Sequence, residues 1–157
     1  MARSYYSTIF EQAPDAVWAV IRDFNNYPVW VDGAGESAIE AGKSGDSVGA
    51  VRNVLYRGVG RRQKLLALSD AERSQTYGFV SEPPLHTRNF QATLRVTPVV
   101  DGGRSFVEWW AIFDCDLERQ NERTAFFRDA FAGWLESLRR HLQRQAIPQP
   151  LRGHCRA

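Results

Sequence analysis

Glu108 stands in a strand-like row with Phe106, Trp110 and Ile112, a carboxylate where strict alternation calls for an apolar side chain. Counting by twos places Arg52 in a row with Val54 and Tyr56, and Gln63 in a row with Leu65 and Ala67. A polar group inside an apolar row needs a partner, water or a cavity, because burying it unpaired is costly. Arg52 and Glu108 therefore pair with each other, reach solvent at the end of a sheet, or face a hollow. In a hollow their chemistry would be mild. Glu108 could act as acid or base, Arg52 or the Tyr77 hydroxyl could polarise a carbonyl, and the Gln63 amide could hold a ligand polar group or a trapped water.

Harsher chemistry has no residues to carry it. His86 falls in a loop, His141 on a helix and His154 in a tail, so no two share metal-ligand spacing, and neither a metal nor a cofactor is expected. Cys115 and Cys155 lack the spacing of a metal knuckle or a redox pair and read as free thiols. No serine or cysteine has a base beside it in the pattern, and the glycines at Gly58 and Gly60 join strands instead of opening a helix. A net charge of +2 with scattered arginines gives no footprint for nucleic acid. The N-terminus enters a strand pattern without the apolar core of a secretory signal, which points to the cytoplasm. With 43% hydrophobic and 24% charged residues, no membrane span is expected.

The elements that must position these residues are legible from periodicity. The chain of 157 residues is one domain's worth, assigned to residues 1–147 with a polar tail at 148–157. Tyr6, Thr8 and Phe10 share one face of an opening strand. Pro14 and Asp15 suit the first turn of a helix running to Phe24, and a short second helical piece carries Val29, Trp30 and Val31. Strands are then predicted at 37–40, 47–56, 61–69, 75–81, 89–97 and 105–115, joined by turns rich in Gly, Asp and Ser. Phe127, Phe131, Trp134, Leu135, Leu138 and Leu142 mark an amphipathic helix over 119–145. The result is an α+β pattern in which an antiparallel sheet of about seven strands wraps a long C-terminal helix, with two short helices after the first strand.

Five segments, taken in order, resemble the polyketide cyclase/dehydrase-like branch of the START-like helix-grip superfamily. They are Ala13-Pro14-Asp15-Ala16-Val17-Trp18, Val48-Gly49-Ala50-Val51-Arg52, Leu65-Leu66-Ala67-Leu68-Ser69-Asp70, Arg88-Asn89-Phe90-Gln91-Ala92-Thr93-Leu94 and Val107-Glu108-Trp109. The likeness spans nearly the whole chain. It implies a helix-grip fold with a pocket between sheet and long helix, in a superfamily that includes ligand carriers, hormone receptors and cyclases. One departure stands out: Gln63-Lys64-Leu65 replaces the Glu-Arg-Leu often found on the fourth strand, which removes a carboxylate from that place.

The resemblance further implies which faces look inward: Arg52, Val54 and Tyr56; Gln63, Leu65 and Ala67; Tyr77 and Phe79; Phe90, Ala92 and Leu94; Glu108, Trp110 and Ile112. Phe131 and Trp134 on the long helix are either plain core or part of the lining. The 82–87 loop resembles the gate of related receptors, with Leu85 placed to fold over the mouth, opposite the Tyr56–Gly60 turn. Greasy walls with a few polar groups suit a small hydrophobic ligand bearing a carbonyl or carboxylate. Two alternatives remain open: a cyclase, aromatase or dehydrase using Glu108 in the same pocket, and an interaction domain. In the latter Val107, Trp109, Ala111 and Phe113 would form an outward apolar stripe for a homodimer.

Overall fold

The computed structural model describes residues 1–147; the 148–157 tail, with His154 and Cys155, lies outside the described residues. Seven strands form one antiparallel sheet in the order β1-β7-β6-β5-β4-β3-β2. They are β1 (Ala2–Phe10), β2 (Ala34–Ile39), β3 (Val51–Tyr56), β4 (Val59–Ser69), β5 (Ser74–Phe79), β6 (Arg88–Val99) and β7 (Arg104–Asp114). Two short helices, α1 (Pro14–Ile21) and α2 (Tyr27–Trp30), follow β1, and the 26-residue α3 (Gln120–Gln145) closes the fold. The helix-grip expectation therefore holds. No helix among the described residues is long and apolar enough to cross a membrane.

Boundaries moved where local chemistry intervened. The strand expected at 47–56 starts at Val51, because Gly49 adopts a left-handed φ of 89°. The first helix stops at Ile21 instead of Phe24, and α2 begins at Tyr27 with Pro28 in its first turn. Ala67, expected to look inward with Leu65, is exposed because the ladder with β5 slips between Leu65 and Ala67. Such a bulge reverses the parity of the residues beyond it, so Leu68 packs towards the core instead.

The larger correction concerns β7. Val107, Trp109, Ala111 and Phe113 face the helix and are fully buried, while Glu108, Trp110 and Ile112 lie on the outer face. The uncharged row went inside, as desolvation dictates. Trp109 sits at the centre of the core, its ring stacked on Phe131 of α3 at 5.0 Å and 11° and touching Tyr27, Trp30, Tyr77 and Trp134. The apolar stripe on which the homodimer and interaction-domain readings rested is thus the core itself.

Packing fixes α3 against the sheet. Phe127, Phe131, Leu135, Leu138 and Leu142 bury one face at helical spacing. Ser4 Oγ donates to the Thr124 carbonyl at 2.7 Å, and Ser137 Oγ donates to the Trp30 carbonyl at 2.6 Å, tying α3 to β1 and α2. Outside, Arg22, the residue that caps the end of α1, grips Asp70 in the β4–β5 turn with two bonds of 2.7 and 2.9 Å, and Trp18 Nε1 donates to the same carboxylate at 2.8 Å. These donors hold the Asp70 carboxyl down to about 2, the Arg22 hydrogen bond contributing most.

Candidate functional site

A cavity of about 430 Å³ lies between the sheet and α3, within the size range of small-molecule sites. Val54 and Tyr56 of β3, Gln63 of β4, and Tyr77 and Phe79 of β5 form one wall; Phe127, Ala130 and Trp134 of α3 form the other. Tyr27 and Val31 complete it from α2 and the residue after it. Its outer end is bounded by Arg57, Arg61, Pro84, Phe126 and Asp129. The walls are mostly aromatic and aliphatic, so the polar groups decide orientation.

Arg52 does not line the cavity but lies directly behind its wall, fully buried. Its guanidinium carbon is 3.5 Å from the ring centre of Tyr27, 3.9 Å from Phe24 and 5.5 Å from Tyr77. Three rings thus solvate the charge in place of water. Nη1 donates to the Phe24 carbonyl, Nε donates to Gln63 Oε1 at 2.8 Å, and Nη2 is buried without a partner among the described residues. No carboxylate of the described residues reaches it. The two strands set this pair directly, since Arg52 and Gln63 are register partners.

The Arg52 bond fixes what Gln63 offers. With Oε1 engaged from behind, the amide NH2 is the end without a partner among the described residues, and Gln63 borders the cavity. Tyr77 adds a hydroxyl, kept protonated because burial pushes its phenol well above the ordinary tyrosine range. Nearer the mouth the Tyr56 hydroxyl accepts from Trp134 Nε1 at 2.9 Å, leaving its own proton to donate. The lining is therefore rich in donors. Its one carboxylate, Asp129, is held at the outer end by Arg128 at 3.2 Å.

Of the residues predicted for the site, Val54, Tyr56, Gln63, Tyr77, Phe79 and Trp134 line the cavity. Leu65, Phe90, Ala92 and Phe131 are core residues packed beside it, and Leu85 packs against the core in the 84–86 turn while its neighbour Pro84 borders the cavity. Glu108 and Trp110 are on the wrong face. Glu108 pairs with Arg95, its register partner on β6, at 3.0 Å, and Trp110 lies between the guanidiniums of Arg3 and Arg95. A general base at Glu108 acting in the cavity is excluded, and so is an Arg52–Glu108 pair.

Arg57 and Pro84 come from the turn and the loop expected at the mouth, while the lining residues that sequence reasoning missed are Tyr27, Val31, Arg61, Phe126, Phe127, Asp129 and Ala130. For Arg61 the signal was present: it shares the parity of Gln63, two positions earlier on the same strand. Phe127 and Ala130 flank Phe131 at helical spacing and were equally reachable. Nothing in the α2 sequence announces that Tyr27 faces a cavity and not plain core.

The sequence profile described as polyketide cyclase / dehydrase and lipid transport matches residues 1–145. No curated protein matches the chain in sequence. Among solved structures, the XoxI protein of Bacillus cereus superposes with a TM-score of 0.81 at 24% identity, over 94% of this chain and 100% of its own. A Thermobifida fusca protein solved in solution gives 0.81 at 25% identity, over 96% and 99%. The di-domain ARO/CYC protein BexL of the BE-7585A biosynthetic pathway gives 0.79 at 12% identity, over 94% of this chain and 48% of that one. At such identities the likeness is one of fold.

Proposed function

The chain belongs to the polyketide cyclase / dehydrase and lipid transport family, and we propose that it binds a small apolar molecule bearing a carbonyl or carboxylate in the cavity between sheet and α3. The observation that carries this reading is the Arg52–Gln63 pair behind an otherwise greasy wall. Arg52 is a positioning residue: it turns the Gln63 amide so that NH2 faces the cavity, and it leaves a positive charge that no carboxylate of the described residues pairs with. At an effective dielectric of about 20, such a charge attracts a unit anion roughly 7 Å away by about 2 kcal/mol. Gln63 and Tyr77 donate to the ligand oxygen, and Tyr27, Phe79 and Trp134 cover its apolar body.

Binding is favoured over turnover because the described cavity offers donors and no unpaired base; its one carboxylate is paired at the rim. Titration calorimetry with decanoate and 1-decanol tests the reading. Decanoate is expected to bind about tenfold more tightly, the scale of a charge-assisted hydrogen bond away from water. Gln63→Leu should erase the difference while leaving decanol binding in place. Equal affinities for the two probes in the unaltered protein would leave a greasy pocket without a polar end.

A further inference from the structure

Two adjacent arginines on β4 have opposite fates. Arg62 points outward and is held by both oxygens of Glu40, at 2.9 and 3.0 Å. Arg61 points inward with Gln63, is half-buried, borders the cavity, and its side chain makes no hydrogen bond or ion pair with any described residue. The nitrogens of its guanidinium reach solvent at the cavity's outer end, so the charge stays hydrated, but unlike Arg62 it is answered by no acid of the described residues and is free for an anion.

A second unpaired arginine lies beside it. Arg57 occupies the first position of the two-residue β3–β4 turn, with φ of 48°, followed by Gly58 at 78°. Both central residues of such a turn need positive φ, which asparagine or glycine adopts at less cost than arginine. The Arg57 guanidinium lies 5.5 Å from the Tyr56 ring centre, at the cavity's outer end. Space for it comes from Gly33, where a Cβ would come within 3.2 Å of both Arg57 Cγ and the Tyr56 ring. Gly33 itself has φ of 88°, so any side chain there is disfavoured twice.

We infer that the cavity takes an apolar molecule with two anionic ends, one directed to Gln63 and the second held at the mouth by Arg61 and Arg57. This rests on the binding reading above and narrows it to a substrate class, the apolar dianion. The acids nearest the mouth have other partners: Asp129 meets Arg128, and Asp32 and Glu136, which border a neighbouring hollow together with Arg57, meet Arg140 and Arg139. Along β4 the two polar positions are two residues apart, roughly 7 Å, and the arginine side chains extend the span outward.

The test compares monocarboxylates with α,ω-dicarboxylates of six to twelve carbons, titrated into the full chain by calorimetry. At the best chain length the dicarboxylate is expected to bind about tenfold more tightly than the matching monocarboxylate. Arg61→Gln should remove that advantage and change monocarboxylate affinity less than about twofold; Arg57→Gln should remove a smaller part, being more exposed. The advantage should also shrink with added salt, since the mouth is open to ions. Equal affinity at every length, or an Arg61→Gln effect the same on both acids, overturns the second anionic site alone. If neither acid binds to folded protein, the binding reading falls with it.

Discussion

On the outer face of the sheet the fold answers its own charges: Glu40 holds Arg62 and Glu108 holds Arg95. On the inner face, across one ladder and one residue along, Arg52 and Arg61 have aromatic rings, amides and empty space around them and form no ion pair with any acid of the described residues. Trp109 and Trp110 repeat the contrast in apolar form, the first fully buried among five aromatic rings and the second flanked by two guanidiniums at the surface. The two faces put their charges to separate uses. Under the proposed binding reading, outer charges act on folding and inner ones on the ligand.

The contrast breaks most easily at the tryptophan pair. Trp109→Ala should cost about 3–5 kcal/mol of stability, the usual range for removing a core aromatic side chain. Trp110→Ala should cost under about 1 kcal/mol, its loss being mostly surface contact. Urea denaturation of both variants checks this, and similar losses for the two would mean that the faces are misassigned.

Arg52→Met comes next. It replaces the guanidinium by a shorter uncharged chain that ends where Nε stood, gives up the bonds to Phe24 and Gln63, and should cost about 1–2 kcal/mol. Its sharper signature is in binding: decanoate affinity should fall about tenfold while decanol affinity holds. Loss of stability with no change in the decanoate to decanol ratio would make Arg52 purely structural.

Glu108→Gln probes the outer partner. Glu108 is buried but Arg95 is 42% exposed, and the Gln oxygen still accepts from Arg95, so the loss should change stability by about 1 kcal/mol. Binding of decanoate should not change at all.

The smallest effect is confined to acid. Asp70 has a folded-state value of about 2, below the ordinary 3.8, so its contribution to stability is present above about 3.8 and is lost as the pH falls towards 2. Asp70→Asn should therefore flatten the acid limb of a stability profile and leave ligand binding at pH 7 untouched.

The helix-grip architecture was legible because its periodicities are long and clean: the α3 stripe from Phe127 to Leu142 admits one buried face, and short turns such as that after Ser69 and that at Asp101-Gly102-Gly103 separate successive strands. A third of the cavity lining was legible for the same reason, since Val54, Tyr56, Gln63, Tyr77 and Phe79 follow period-two counting on β3 to β5. On β7 both rows are apolar enough to be buried, and taking the polar exception as the mark of the cavity chose the wrong one. Physical cost pointed the other way, because the row of Val107, Trp109, Ala111 and Phe113 carries no charge to desolvate. Bulges such as that after Leu65, and the inward turn of Tyr27 on α2, depend on tertiary packing and leave no periodic trace.

A crystal structure of the full chain with decanoate would show whether the inner face is the site and which way the ligand lies. The carboxylate should lie within hydrogen-bond distance of the Gln63 amide nitrogen, with Arg52 unmoved behind it and the alkyl chain running between Phe79 and Trp134 towards the mouth. A reversed molecule, with its methyl end against Gln63, or one bound outside the cavity, would contradict the assignment of the inner face as the site.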